Sequence, residues 1–149
     1  MGDMTRRIQD YFNWRIEVVA KRTRDIADQI YQDKVGLSIE QLRVLRLVAA
    51  DSLSSVGDIT QESRLERTRV SRLLGSLVEA DLIVREVSAK DARSLVPRLT
   101  AKGAKLLRQA NRIGDALDQD FRALLTHSEI EQVASCLDRL AQWEPKLAD

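Results

Sequence analysis

The sequence predicts a mainly α-helical fold with one small β-hairpin. Only 6 glycines and 2 prolines interrupt the 149 residues, which favours long helices over a β fold with many turns. Apolar residues recur at helical spacing towards both ends of the chain. Between these segments, two short apolar runs flank a charged turn, a pattern that is typical of a hairpin.

The first half of the chain predicts four helices. Apolar residues from Ile8 to Ile30 follow one face without a glycine or proline, which predicts a helix over about residues 5–32. Ser38 is the predicted N-cap of the next helix, with Gln41 at the capping-box position. A short helix at 59–63 and a longer one at 66–80 follow.

The second half predicts the hairpin and two further helices. Residues 82–84 and 95–96 form the strands, and Pro97, which lacks an N–H donor, is expected at the edge of the sheet. Helical spacing resumes at residue 101 with Thr100 as N-cap. The last helix is expected to have Ser128 as its N-cap and Glu131 at the capping-box position.

This order of elements predicts a winged helix-turn-helix domain over residues 36–100. It lies between an N-terminal dimerisation helix, residues 1–35, and C-terminal dimerisation helices, residues 101–149. The terminal helices have apolar faces and few partners of their own, so we expect them to pair with a second copy in a homodimer. Packing of the terminal helices on each other within one chain is the alternative.

Composition excludes several classes of site. Cys136 and His127 are the sole cysteine and histidine, too few for an internal disulfide or a zinc site built from these residue types. There is also no phosphate-binding glycine loop, so the sequence predicts no cofactor, no metal and no enzymatic activity. The chain lacks an apolar signal segment and a run long enough to span a membrane, which predicts a cytoplasmic protein without a membrane partner.

A local basic cluster is the first indication of a binding site. The net charge is only +1, but residues 64–98 hold eight basic and five acidic side chains. Basic and hydroxyl side chains crowd the first two turns of the helix predicted at 66–80: Arg67, Thr68, Arg69, Ser71 and Arg72. Such a helix fits the major groove of DNA, where arginine, serine and threonine contact bases and phosphates. A solvated helix face with salt bridges is the alternative.

The hairpin tip adds a second group, Lys90, Asp91 and Arg93. Arg93 can enter the narrow, electronegative minor groove, and Asp91 would pair with an arginine and hold it in place. A basic helix followed directly by this hairpin predicts a double-stranded DNA partner. A winged helix that serves only protein–protein contact is the alternative; Arg93→Ala would then leave partner binding intact.

Three stretches resemble the MarR family of bacterial transcriptional regulators: GLSIEQLRVLRLV, ERTRVSRLLGSLVEADLIVRE and DARSLVPRLTAKG. The strongest match is the wing pattern D-x-R followed by L-T-x-x-G, at Asp91, Arg93, Leu99, Thr100 and Gly103. The second is R-x-x-V-S-R-L, residues 67–73. The resemblance covers about residues 36–108.

The resemblance implies a homodimeric, sequence-specific transcriptional regulator on a pseudo-palindromic operator. It favours a repressor that a small effector, often an aromatic acid, releases from DNA; activation remains open. The chain departs from the family pattern at the turn, where Ser63-Arg64 replaces the usual Gly or Asn. Glu66 is a poorer N-cap than Asp or Ser, and Asp81 replaces a common glycine.

Four residues are candidates for binding the effector: Tyr11, Trp14, Arg15 and Arg46. An arginine beside two aromatic rings can bind an aromatic carboxylate, with the guanidinium on the acid and the rings stacked on the ligand. The alternative is that Tyr11 and Trp14 are anchors of a dimer interface. Cys136 is expected to be buried and inert, and His127 to be a surface or capping residue.

Overall fold

The computed structural model describes residues 7–50, 55–88 and 95–145. Within these ranges the chain is mainly helical with a two-stranded antiparallel hairpin, which confirms the predicted fold class. A 3-10 turn, Ile8–Asp10, precedes the first helix. The elements are α1 (Phe12–Val35), α2 (Ile39–Ala49), α3 (Val56–Ser63), α4 (Arg67–Glu79), β1 (Ile83–Val87), β2 (Leu95–Leu99), α5 (Ala101–Arg122) and α6 (His127–Leu140).

The core of the winged helix-turn-helix collects apolar side chains from seven of these elements. Leu42 and Leu45 of α2 meet the buried faces of α3 and α4, and the start of β1 closes the core with Ile83. Tyr31 of α1 and Leu107 of α5 are buried as well. The chain forms two compact units, residues 1–112 and 113–149. The predicted division at residues 35 and 100 stays a prediction.

Capping boxes explain where two helices begin. The Ser38 hydroxyl accepts from the Gln41 N–H at 3.2 Å, and the Gln41 side chain accepts from the Ser38 N–H at 2.9 Å, as predicted. The prediction for the last helix is wrong, because Thr126 and Glu129 form the box instead. Both pairs fit the same sequence pattern, and the earlier one begins the helix. The Thr126 N–H and hydroxyl lower the pKa of Glu129.

The start of α5 is bound tightly to the turn that follows α4. The Thr100 hydroxyl accepts from the Gly103 N–H at 2.9 Å, which confirms Thr100 as the N-cap, and donates to the Asp81 carbonyl at 2.8 Å. Lys102 donates to the carbonyl of Ala80 at 2.7 Å. A Cβ added to Gly103 would lie 2.0 Å from the Leu82 carbonyl oxygen. The glycine of the L-T-x-x-G pattern is therefore required by close backbone approach.

The hairpin pairs β1 with β2 so that Arg85 lies opposite Pro97. A two-stranded sheet has only edge strands, so Pro97 lies at an edge as expected. Its side chain is buried, and so is the neighbouring Val96, whereas the flanking Leu95 and Arg98 are exposed. Because successive side chains of a strand point to opposite faces, the two consecutive buried residues show that β2 is covered on both faces at this point.

Among the described residues, two other than glycine adopt left-handed backbone conformations. Arg64 has φ 54° at the C-cap of α3, and Asp81 has φ 58° in the turn after α4. These are the same turns at which the sequence departs from the family pattern. A Cβ in this region is sterically disfavoured, and aspartate tolerates it better than arginine.

We expect Arg64→Gly to raise the free energy of unfolding by about 0.5–1 kcal/mol, because glycine removes the strain at the cost of some unfolded-state entropy. Urea denaturation followed by circular dichroism measures the change. Arg64→Ala, which keeps a Cβ at φ 54°, is the matched control and should give no such gain. Equal stabilisation by both variants would contradict the claim that the backbone at Arg64 is strained.

The unit of residues 113–149 exposes many of its apolar side chains. Leu124 and Trp143 are 77% and 73% exposed in the single chain. Cys136 is also exposed, so the expectation of a buried thiol is wrong for the single chain. The reason is that its apolar neighbours on α6, Val133 and Leu137, are themselves exposed. His127 lies on the surface and its ring approaches the Glu131 carboxylate at 3.3 Å, while Thr126 serves as the cap.

Candidate nucleic-acid interface

The turn between α3 and α4 fixes the helix that carries the basic cluster. Ser63 is 1% exposed; its hydroxyl donates to the Thr60 carbonyl at 3.1 Å and accepts from the Leu65 N–H at 3.2 Å. Arg43 of α2 donates to the Ser63 carbonyl at 3.3 Å. These bonds satisfy the polar groups of a turn that has no glycine, and they tie α2 to the turn before α4.

Helix α4 separates its apolar and basic side chains cleanly. The buried side consists of Val70, Leu73, Leu74 and Leu77. The side chains predicted to contact DNA are all exposed on the first two turns: Arg67, Thr68, Arg69, Ser71 and Arg72. Glu66 makes no side-chain capping bond, which agrees with its expected weakness as an N-cap. The structure therefore brings these five residues together on one accessible helix end.

The three arginines of this surface have different surroundings. Arg69 donates from Nε and Nη2 to one carboxylate oxygen of Glu40, at 2.8 and 2.6 Å. Arg67 and Arg72 have no ion-pair partner among residues 7–50, 55–88 and 95–145. Two guanidinium groups are thus free for phosphates or bases, and the third is held by a carboxylate from α2.

A cleft of about 220 Å³ lies between α4 and the hairpin. Arg67 and Ser71 line it from the helix, and Arg85 and Leu95 line it from the strands. Arg85 is one of the eight basic residues of the segment 64–98, but it is not among the site residues predicted from the sequence. The sequence pattern that could have indicated Arg85 is weak, because it consists of an outward position on a strand that directly follows the basic helix. Arg85 extends the basic surface of α4 onto the hairpin.

The predicted contacts at the hairpin tip, Lys90, Asp91 and Arg93, lie outside the described residues. On the described part of the hairpin, Val87 and Leu95 form the last pair before the tip, and both are exposed. The roles of the tip residues in minor-groove binding remain predictions.

The candidate effector residues do not form one cluster within a single chain. Arg46 donates to the Tyr31 hydroxyl at 3.3 Å and to the Asn111 side chain at 3.0 Å, and its guanidinium carbon lies 5.7 Å from the centroid of the Tyr31 ring. Trp14 lies on the same helix as Tyr31 but about 25 Å away along its axis, at 1.5 Å per residue. Arg46 therefore braces α1, α2 and α5 rather than joining Trp14.

The remaining candidates lie at the start of α1. Tyr11 is the N-cap of α1, with Trp14 and Arg15 in the first turn. Trp14 lines a groove of about 570 Å³ along α1 together with Val18 and Ile26. Arg46 lines a different cleft, of about 310 Å³, with Arg43 and Leu47.

Among the described residues, no three His, Cys, Asp or Glu side chains converge in a way that could bind a metal ion. None of the helices in the described ranges combines the length and the apolar character needed to cross a membrane.

Comparison with known proteins agrees with this geometry. The MarR family model matches residues 35–94. The transcriptional regulator TcaR of Staphylococcus aureus is 27% identical to this chain. The match covers 88% of this chain and 84% of the length of TcaR. The S. aureus MepR–DNA complex is 25% identical, with a TM-score of 0.80 over 91% of this chain and 97% of MepR. Bordetella bronchiseptica BpsR, whose DNA binding is regulated by 6-hydroxynicotinic acid, shares the fold at 16% identity and a TM-score of 0.81, over 93% of this chain and 99% of BpsR.

Proposed function

Because this chain belongs to the MarR family of transcriptional regulators, we propose that it is a homodimeric repressor of a pseudo-palindromic operator. The observation that carries the proposal is the exposed end of α4, where Arg67, Arg69 and Arg72 stand together on a winged helix-turn-helix. Such a helix end enters the major groove, with arginines donating to guanine edges and phosphates. Lys90, Asp91 and Arg93 of the wing tip would add minor-groove contacts.

The proposed dimer uses the terminal helices. Apolar side chains of α1 such as Phe12 and Val19, and of the C-terminal unit such as Leu124 and Trp143, are exposed in the single chain. Exposed apolar surface on this scale is typical of a protein–protein interface. In this proposal residues 1–35 and 101–149 pair with a second copy, and the two α4 helices read half-sites about one helical turn, ~34 Å, apart.

The proposed effector is a small aromatic acid bound near Tyr11, Trp14 and Arg15. The groove beside Trp14 supplies an apolar wall with Val18 and Ile26. Arg15 is next to Trp14 in sequence but does not line that groove, and in this proposal it supplies the cation for the carboxylate from the groove's border. The regulation of BpsR by 6-hydroxynicotinic acid supports this class of ligand on the same fold. Arg46, already engaged by Tyr31 and Asn111, is retained only as a candidate for the separate cleft beside Arg43.

The test is a titration of the full-length protein with duplexes from its own promoter region and with random duplexes, at several salt concentrations. We expect selective binding of a promoter duplex by two copies of the chain. The affinity should fall linearly with salt on logarithmic axes, because phosphate contacts release counterions. Equal affinity for promoter and random duplexes would contradict the proposal. Addition of aromatic acids to the same titration tests release from the operator.

A further inference from the structure

The ion pair between Glu40 and Arg69 joins α2 to α4, the helix that carries the proposed DNA surface. Glu40 lies in the first turn of α2 and Arg69 in the first turn of α4. Their side chains are 32% and 55% exposed, so the pair lies at the surface without being fully solvated. The α2 N-terminus favours a carboxylate at this position.

The scaffold beneath this ion pair is well fixed. Gln41, the neighbour of Glu40, closes the capping box of α2 and also donates to the Ser76 hydroxyl of α4 at 3.1 Å. This second link joins the same two helices, which also pack on each other through buried apolar side chains. Glu40 therefore holds Arg69 from a defined position.

The hydrogen bonds leave one edge of the Arg69 guanidinium available. Nε and Nη2 both donate to Oε2 of Glu40, which uses two of the five N–H donors of the group. Three donors remain, on Nη1 and on the outer side of Nη2. That outer edge has the geometry for two parallel bonds to the O6 and N7 acceptors of guanine.

The Glu40 carboxylate also weakens the electrostatic attraction between Arg69 and the phosphates of DNA. A neighbouring negative charge cancels much of the attraction of the guanidinium for the DNA backbone, and sequence-independent affinity comes mainly from that attraction. Arg67 and Arg72, which have no ion-pair partner among the described residues, keep their full charge. The three arginines of the surface are thus not equivalent.

We propose that Glu40 is a positioning residue that reserves Arg69 for base contact. By fixing the guanidinium and neutralising it, Glu40 makes Arg69 contribute to sequence selection rather than to general attraction for phosphates. This inference rests on the proposed function, in which the start of α4 lies in the major groove.

The experiment compares Glu40→Gln with Glu66→Gln in the full-length protein. Both substitutions remove one negative charge near the start of α4, but Glu66 makes no capping bond and no ion pair within the described chain. Affinities for the selected promoter duplex and for a random duplex are measured over a salt series.

For Glu40→Gln we expect tighter binding to random DNA, with the slope of log affinity against log salt steeper by about 0.9, the value for one more phosphate neutralised. The selectivity ratio between promoter and random duplex should fall about fivefold or more, the lower range for one lost bidentate base contact. Glu66→Gln should strengthen binding to both duplexes alike and leave the ratio unchanged.

A double-mutant cycle completes the test. In an Arg69→Gln background, Glu40→Gln should no longer alter the ratio, since the group that it positions is gone. Glu40→Asp has a shorter side chain that cannot reach Arg69 in the same way, so it should lower the selectivity ratio as Glu40→Gln does. It replaces Glu40→Gln in the experiment if Glu40→Gln folds poorly.

The inference is overturned if Glu40→Gln and Glu66→Gln change binding to both duplexes equally, or if the effect of Glu40→Gln persists without Arg69. A wild-type protein that shows no preference for any promoter duplex overturns the proposed function instead, and this inference with it.

Discussion

Gly103→Ala is expected to destabilise the protein by about 3 kcal/mol, the upper range for overpacking a rigid site. The new Cβ would stand 2.0 Å from the Leu82 carbonyl oxygen and 2.9 Å from its carbon. These are backbone atoms, and the hydrogen bond from the Thr100 N–H to the Leu82 carbonyl holds them in place. Relief would require α5 to move away from the turn. Thermal and urea denaturation measure the loss.

Gly75→Ala is the matched control for this substitution. Gly75 lies inside α4, and a Cβ there would have no neighbour within 4 Å. Because alanine is a better helix former than glycine, we expect this variant to gain about 1 kcal/mol. The same chemical change should thus have opposite signs at two positions. A loss of similar size at both would show that the Leu82 contact is not the cause.

The double variant Arg67→Ala/Arg72→Ala is expected to bind the operator about 100-fold more weakly, since each arginine that contacts DNA contributes about 1–3 kcal/mol. Both side chains are exposed on the first two turns of α4. The slope of log affinity against log salt should become shallower where phosphate contacts are lost. Fluorescence anisotropy with a labelled duplex measures both quantities.

A control variant with the same change in charge is available on α5. Arg108 and Arg112 are exposed there and lie outside the exposed face of α4. Because α5 belongs to the proposed dimerisation helices, size-exclusion chromatography first checks that this variant assembles as the unaltered protein does. Arg108→Ala/Arg112→Ala should weaken binding only through the general loss of positive charge, by a few-fold at physiological salt, where charges beyond about 8 Å are screened. Equal losses in the two double variants would place DNA binding elsewhere than on α4.

The predictions from sequence that succeeded depend on short-range patterns. Ser38 and Thr100 are predictable as caps because a hydroxyl directly before a helical run accepts a hydrogen bond from a free backbone N–H of the first turn. The exposed arginines of α4 followed in the same way from the helical period. Where two short-range patterns overlapped, at Thr126 and Ser128, the sequence could not decide between them.

The features that escaped prediction join residues that are distant in sequence. The bond from Arg69 to Glu40 spans 29 positions, and that from Arg46 to Asn111 spans 65. Neither pairing has a periodicity that could reveal it, because it depends on how helices pack. The single chain also cannot bury the face around Cys136, so an apolar neighbourhood in sequence did not imply burial.

The bonds at the start of α5 have a consequence for how the hairpin can vary. Thr100 and Lys102 are held by the carbonyls of Asp81 and Ala80, so the chain returns after the hairpin to the place from which it left. Because these bonds hold the start of α5 at the turn after α4, the length of the hairpin between the two points does not set the position of the start of α5. Hairpins of different length or sequence can therefore replace one another among relatives without a change in the position of α4.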